Sequence, residues 1–379
     1  MIFTVSSSEL LKGLLSMSKV VSSNSKGSVI PILDNILFEI EDQNTLKMTA
    51  SDSDMTLITL VPLDKVQEDG KIAVPAKLLT DSMKEFPELP LNFTTNKNTK
   101  SLKISWFNGE LQLPCFDADD FPELPTLNDI NLNLDIKAET LLKGINTTLF
   151  ATAEEELRPV MNGIFFDITP EGTSFVASDS HKLVCYTRTN VIHSEKTSFI
   201  LPKKPASILR SELAKSDTII NIKYDVNHAY FTFAGKTMVC SLVVGKYPAY
   251  RSVIPQNNPN ILTINRLQLL NASKRVSICG NPASSQIKFS LSLNKLVISA
   301  QDLSYSLSSH EDLDCNYVGS EIEIGFKSQF LVELLSNMDS EEISIALADP
   351  TRACLILPKD GLDDDELYSS ILMPIRILS

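Results

Sequence analysis

One short pattern of residues returns three times along this chain, and a threefold internal repeat limits the possible architectures more than any other signal. Ala50-Ser51-Asp52-Ser53-Asp54 returns as Ala177-Ser178-Asp179-Ser180-His181, 127 residues further on. Leu10-Leu11-Lys12-Gly13 returns as Leu141-Leu142-Lys143-Gly144, 131 residues on. Asn35-Ile36-Leu37-Phe38-Glu39-Ile40 resembles Asn162-Gly163-Ile164-Phe165-Phe166-Asp167-Ile168, and Phe121-Pro122 matches Tyr247-Pro248. The third copy is fainter. Leu262-Thr263-Ile264 opens it as Phe3-Thr4-Val5 and Leu134-Asp135-Ile136 open the others, and Ala300-Gln301-Asp302 falls where the two Ala-Ser-Asp triplets predict. The shared order of the matches carries the argument.

Each copy has one coarse pattern. A short strand leads into an amphipathic helix, as in residues 7–22 with Leu10, Leu14, Met17 and Val21 on one face. Alternating strands follow, for example Leu102-Lys103-Ile104-Ser105-Trp106. A second helix is introduced by Val74-Pro75, Leu201-Pro202 or Ile324-Gly325, where proline suits a first helical turn because its missing N–H would have no partner there. The fold class is therefore α+β, in three strand-rich domains of about 125 residues with two helices each. Pro/Asn-rich stretches at 125–128 and 255–260 place the domains at 1–127, 128–256 and 257–379. Three similar domains in a row form a curved array that closes by association.

Composition narrows the function. No uninterrupted apolar run approaches the roughly 18 residues that cross a bilayer. The start, Met1-Ile2-Phe3-Thr4-Val5, has neither a basic nor a long apolar segment and reads as a strand, so a cytoplasmic protein without a membrane partner is expected. Cysteines 115, 185, 240, 279, 315 and 354 are scattered without CxxC spacing, as reduced thiols in a core would be. With only His181, His193, His228 and His310, and no HExxH, GxGxxG or GxxxxGK[ST] motif, no metal and no cofactor is expected.

Net charge is −13, which taken whole points away from nucleic acid. Its distribution does not. The helices expected at 7–22, 75–85, 137–153, 203–215, 265–279 and 327–338 hold fourteen Lys/Arg and six Asp/Glu, a net +8, which leaves −21 on the remaining residues. Any one such helix reads as a solvated face. Six sharing a sign point to one surface turned toward a polyanion, held by contacts to phosphates that read no bases. No aromatic-rich platform accompanies these lysines, which argues against single-strand binding by stacking.

Over its whole length the chain resembles the bacterial DNA polymerase III beta subunit, the sliding clamp family. The resemblance lies in Phe3-Thr4-Val5, Leu10-Leu11-Lys12, Pro31-Ile32-Leu33-Asp34-Asn35, Ala177 to Leu183, Gly245-Lys246-Tyr247-Pro248-Ala249-Tyr250-Arg251, Glu323-Ile324-Gly325-Phe326 and Met373-Pro374-Ile375-Arg376. It implies a head-to-tail homodimer, a six-domain ring with helices lining the pore and antiparallel sheets outside. Such a ring encircles double-stranded DNA and has no catalytic residues. The cations expected to face DNA are Lys12, Lys19, Lys26, Lys77, Lys143, Lys203, Lys204, Arg210, Arg266, Lys274 and Arg275.

The resemblance also implies a groove for a short peptide motif of the polymerase III alpha subunit, the clamp loader and repair polymerases. Its wall maps to Arg158, Met161, Ser178, His181, Lys182, Leu183, Pro248, Val253, Ile371, Met373, Pro374, Ile375 and Arg376. An apolar trough with a few polar rim groups suits such a guest. Three rim positions depart from the family pattern: Ser180 where glycine is common, Lys182 where arginine is common, and Ser252 where a basic residue often stands. The subunit contact is expected edge strand to edge strand, Leu111 and Leu113 meeting Ile278 and Cys279.

Two other readings compete. Ser178, Asp179, Ser180 and His181 invite a hydrolase, but neighbouring strand residues point to opposite faces, and the sister copy lacks the histidine. A turn explains the Ser/Asp content equally well. A multidomain scaffold with solvated lysines is the remaining alternative.

Overall fold

The computed structural model describes residues 1–21, 30–42, 44–96, 98–127, 132–155, 157–214 and 217–377; Lys26 lies outside them. Two compact units are present, one of Met1–Glu139 with Ser211–Leu242, the other of Thr140–Arg210 with Val243–Ser379.

Six α-helices occur among the described residues: α1 (Ser7–Val21), α2 (Ala76–Lys84), α3 (Ala138–Thr148), α4 (Lys203–Leu213), α5 (Arg266–Ser277) and α6 (Ser328–Ser336). Each begins at the end of a strand, respectively Ile2–Ser6, Gly70–Pro75, Leu132–Lys137, Thr197–Pro202, Asn260–Asn265 and Ile322–Lys327. The strand-then-helix unit thus recurs six times. It appears twice in each sequence repeat.

In the first unit every strand pairing is antiparallel. A five-stranded sheet runs Lys65–Glu68, Ile2–Ser6, Pro90–Asn96, Ser101–Trp106, Gly109–Pro114. An eight-stranded sheet joins Met55–Pro62 of the first repeat to Lys236–Ser241 of the second. Helix α1 packs on α2 and on this sheet with Leu10, Leu14, Met17 and Val20 buried, while Val21, its last residue, is half-buried. Gly13 permits the close approach: a Cβ there would lie 2.2 Å from the Met48 methyl. Burying each of these side chains contributes about 1.5–3 kcal/mol.

The second unit holds a nine-stranded sheet in which Lys182–Arg188 pairs with Glu366–Leu372, so strands from the second and third repeats are hydrogen-bonded neighbours. A four-stranded sheet runs Leu307–Asp314, Lys295–Asp302, Gln286–Ser292, Ile322–Lys327, with α5 packed on its first two strands and on α6. Sheets that run on from one repeat into the next explain why the compact units do not follow the sequence repeats.

The repeated aspartate has a structural role in every copy. Asp52 Oδ1 accepts from the N–H of Asp54 and Met55 at 2.7 and 2.8 Å. Asp179 Oδ1 accepts from His181 and Lys182 N–H at 2.9 and 2.8 Å, and Asp302 Oδ1 from Ser304 N–H at 2.9 Å. Each closes the turn between two hairpin strands, as short Asp side chains do. All six cysteines are free, and burial pushes the Cys240 thiol up to about 12. No helix is long and apolar enough to cross a membrane, and no group of three metal-ligating side chains is present among the described residues.

Candidate partner-binding groove

A groove of about 290 Å³ opens in the second unit beside the turn at residues 179–181. Its floor follows from strand register. Leu183 and Ile371 are direct antiparallel partners, and both are buried in a cluster with Val176, Cys185, Ile200, Tyr247 and Tyr250. Tyr247 stacks on Phe165 with ring centroids 4.6 Å apart. The Tyr250 hydroxyl donates to Asp167 Oδ2 at 2.8 Å, which Arg251 also contacts at 3.0 Å. Burial, with Cys185 and Asp167 adding to it, pushes the Tyr250 phenol up, so it stays a donor.

Ten of the residues selected from sequence line the cavity: Arg158, Met161, Ser178, His181, Lys182, Leu183, Pro248, Val253, Ile371 and Met373. Pro374, Ile375 and Arg376 do not. Beyond Met373, whose N–H donates to the His181 carbonyl at 2.8 Å, the Ile375 N–H donates to the Gly325 carbonyl at 2.8 Å. The lining also includes Ser180, Tyr247, Ala249, Tyr250, Ser252 and Ala353. The two tyrosines flanking Pro248 could have been read from sequence as apolar anchors, whereas Ala353 sits in a loop with no local signal.

The rim is electrically settled on one side and open on the other. The Lys182 ammonium is buried, bonded to Asp179 Oδ2 at 2.6 Å and Glu333 Oε2 at 2.9 Å, and lies 4.6 Å from the Phe330 ring centre. The His181 ring stacks on the same phenylalanine at 5.3 Å. Arg158 is exposed, and its guanidinium forms no ion pair among the described residues. The hydrolase arrangement is absent from this turn: Asp179 is committed to two backbone N–H groups and Lys182, and the Ser178 hydroxyl donates to the Lys182 carbonyl at 2.9 Å.

Behind the floor, Glu366 anchors the strand that carries Ile371. Its fully buried carboxylate accepts from Lys143 at 2.6 Å, Tyr186 at 2.6 Å and Arg188 at 2.5 Å. Burial alone would raise its pKa, but the bonds from Lys143, Tyr186 and the Asp363 N–H hold it down at about 2.

The six helices carry eleven Lys/Arg and five Asp/Glu within their observed bounds, a net +6 in a chain of −13. Several of these cations are engaged inside the chain. Lys12 pairs with Glu9 at 2.5 Å, Lys19 with the buried Glu212 at 2.6 Å, Arg275 with Glu311 at 2.5 Å, and Lys203 with Glu154. Lys143 serves Glu366, and Arg266 donates to the Ser340 and Leu335 carbonyls at 2.6 and 2.9 Å. Lys77, Arg210 and Lys274 are exposed and form no ion pair among the described residues, while Lys204 is half-buried.

Leu111 and Leu113 lie on Gly109–Pro114, the edge of the five-stranded sheet, but Ile278 and Cys279, expected on an edge strand, lie in the turn that ends α5, while the edge of the four-stranded sheet is Leu307–Asp314. Ile278, at the C-terminus of α5, is 79% exposed, and Cys279 is half-buried. Leu111 is half-buried, but Leu113 is only 3% exposed, already covered within its own unit.

Comparison with known proteins gives one answer along the chain. Residues 1–125 match the DNA polymerase III beta subunit N-terminal domain, 135–249 its central domain and 251–376 its C-terminal domain. Similar curated proteins include the beta sliding clamp of Pseudomonas aeruginosa, 28% identical with 99% of this chain and 100% of that protein covered. That of Haemophilus influenzae is 27% identical, with 99% and 100% covered. The crystal structure of the P. aeruginosa DNA polymerase III subunit beta superposes with a TM-score of 0.93 at 27% identity, covering 100% of both chains.

Proposed function

The chain belongs to the DNA polymerase III beta subunit family and is a sliding clamp, a non-catalytic processivity factor, and from that premise we propose that it closes as a head-to-tail homodimer around double-stranded DNA and receives its partners in the groove beside His181. Domains at 1–127, 128–256 and 257–379 give six per ring, and the cytoplasm is its place of action.

The observation that carries the DNA reading is the opposition of charge: +6 on the helices against a chain total of −13. A polyanion held by scattered lysines and arginines is gripped without sequence preference, which is what sliding needs. Lys77, Arg210 and Lys274 are the strongest candidates for phosphate contact, because they are exposed and form no ion pair among the described residues. Lys12, Lys19, Lys203, Lys204 and Arg275 add to the field, whereas Lys143 and Arg266 act mainly within the fold.

The groove reading rests on a buried apolar floor beneath an arginine that forms no ion pair among the described residues. A short segment of the polymerase III alpha subunit, the clamp loader or a repair polymerase, carrying apolar anchors, fits that chemistry. A related P. aeruginosa clamp has been crystallised bound to griselimycin, so the fold accepts a ligand. The sheet edges at Gly109–Pro114 and Leu307–Asp314, with the exposed Ile278, support the dimer contact.

The deciding experiment is retention on nicked circular DNA before and after linearisation. A topologically linked ring stays on the circle and slides off the free ends, while a scaffold or an ordinary DNA binder does not distinguish the two. Equal retention on both forms rules out encirclement.

A further inference from the structure

Ser180 is the one groove residue with a left-handed backbone, φ 74°, a region that side chains other than glycine rarely adopt. Its hydroxyl is fully used. Oγ accepts from the Arg158 guanidinium at 2.6 Å and faces the Met161 sulfur at 3.4 Å, and the Ser180 N–H donates to Ser178 Oγ at 3.2 Å. Glycine would relieve the backbone but leave Arg158 without a bond on this turn.

Arg158 is the only cation lining the groove whose charge is not matched within the chain among the described residues; Lys182, the other, is buried between Asp179 and Glu333. A neutral hydroxyl holds Arg158 in place without cancelling its charge. A carboxylate in the same position would have cancelled it.

Resting on the peptide-groove reading, we propose that Ser180 is a positioning residue for Arg158. Its hydroxyl holds the guanidinium at the mouth of the groove, so that the groove favours a peptide with a carboxylate beside its apolar anchors. A guanidinium confined to one place loses less freedom on meeting a carboxylate than one swinging in solvent.

The test uses the full-length clamp and a panel of synthetic leucine-rich pentapeptides carrying aspartate or asparagine at each position in turn, with binding read by fluorescence anisotropy at low salt. The expected result is a preference for aspartate of about three- to fivefold at one position, the size of a rim ion pair. That preference falls to near parity in both Ser180→Ala and Ser180→Gly, and it weakens with added salt in the wild type only. A purely backbone role predicts that Ser180→Gly keeps the preference, and that result overturns the proposal. So does an unchanged preference in Ser180→Ala, or wild-type binding with no preference at any position; each of these leaves the peptide groove standing. Failure of the wild-type clamp to bind any pentapeptide of the panel removes the groove reading and this inference together.

Discussion

The Tyr186 hydroxyl donates to Glu366 Oε1 at 2.6 Å diagonally across the strand pairing that sets Arg188 opposite Glu366 and Leu183 opposite Ile371. The groove floor and this buried carboxylate therefore belong to one strand pairing. A slip of the Glu366–Leu372 strand by one residue would turn Ile371 away from the groove and carry Glu366 out of its ring of donors.

Removing Glu366 should accordingly affect the whole second unit. Glu366→Ala leaves Lys143, Arg188 and Tyr186 without their shared acceptor, and a loss of about 3 kcal/mol is expected, read as a lower denaturant midpoint. Its carboxyl is held at about 2 in the folded chain against an ordinary value of 4.5, so its contribution is complete above pH 4.5 and disappears as pH falls toward 2. Wild type should lose stability over that window more steeply than Glu366→Gln. Parallel pH profiles would show that Glu366 is not held as described.

The subunit contact is best probed at Ile278. It is 79% exposed, so Ile278→Asp should leave the protomer's melting temperature within a degree or two while shifting light scattering from dimer to monomer at micromolar concentration. Leu113→Asp, which sequence alone recommends, also places a charge in the protomer's own interior, where only 3% of the residue is exposed, and its effect would mix unfolding with dissociation. An intact Ile278→Asp dimer would move the contact elsewhere.

Charge reversal separates cations that meet DNA from those that serve the fold. Lys77→Glu, Arg210→Glu and Lys274→Glu should each weaken binding to primed duplex DNA and lower the slope of log affinity against log salt by about 1, without a change in melting temperature. Arg266→Glu should instead lower the melting temperature, because its guanidinium holds the Ser340 and Leu335 carbonyls. A salt slope unchanged from wild type in these three variants would remove them from the DNA surface.

Met373 stands at the groove's open side and is 39% exposed. Met373→Ala should therefore weaken binding of a partner peptide about five- to twentyfold, the size of one interface anchor, while the denaturant midpoint stays near that of wild type. Calorimetric titration checks both the affinity and the stoichiometry. Unaltered affinity would place the peptide's anchor away from Met373.

What the sequence by itself determined is what depends on neighbours along the chain. The repeat order, the six helices and their sign are local in this sense, since helical period, turn-forming Asp and Lys content are all properties of short windows. Helix ends expected at 22, 85, 215, 279 and 338 fall within one or two residues of the observed ends at Val21, Lys84, Leu213, Ser277 and Ser336, while the end expected at 153 comes earlier, at Thr148, where the chain tightens into the 3-10 turn Leu149–Ala151. What only the tertiary structure decided is which groups meet across long separations. Lys143 and Glu366 are 223 residues apart, and nothing local distinguishes that lysine from Lys77, which forms no ion pair among the described residues. Leu113 and Ile278 are alike as apolar residues, yet one is covered by its own unit and the other faces solvent. The same holds at the groove, where a shared Asp turn brought Ser180 to the cavity mouth but only packing placed Arg158 within reach of its hydroxyl. Burial and pairing are settled by three-dimensional proximity, which a single chain's local pattern does not encode residue by residue.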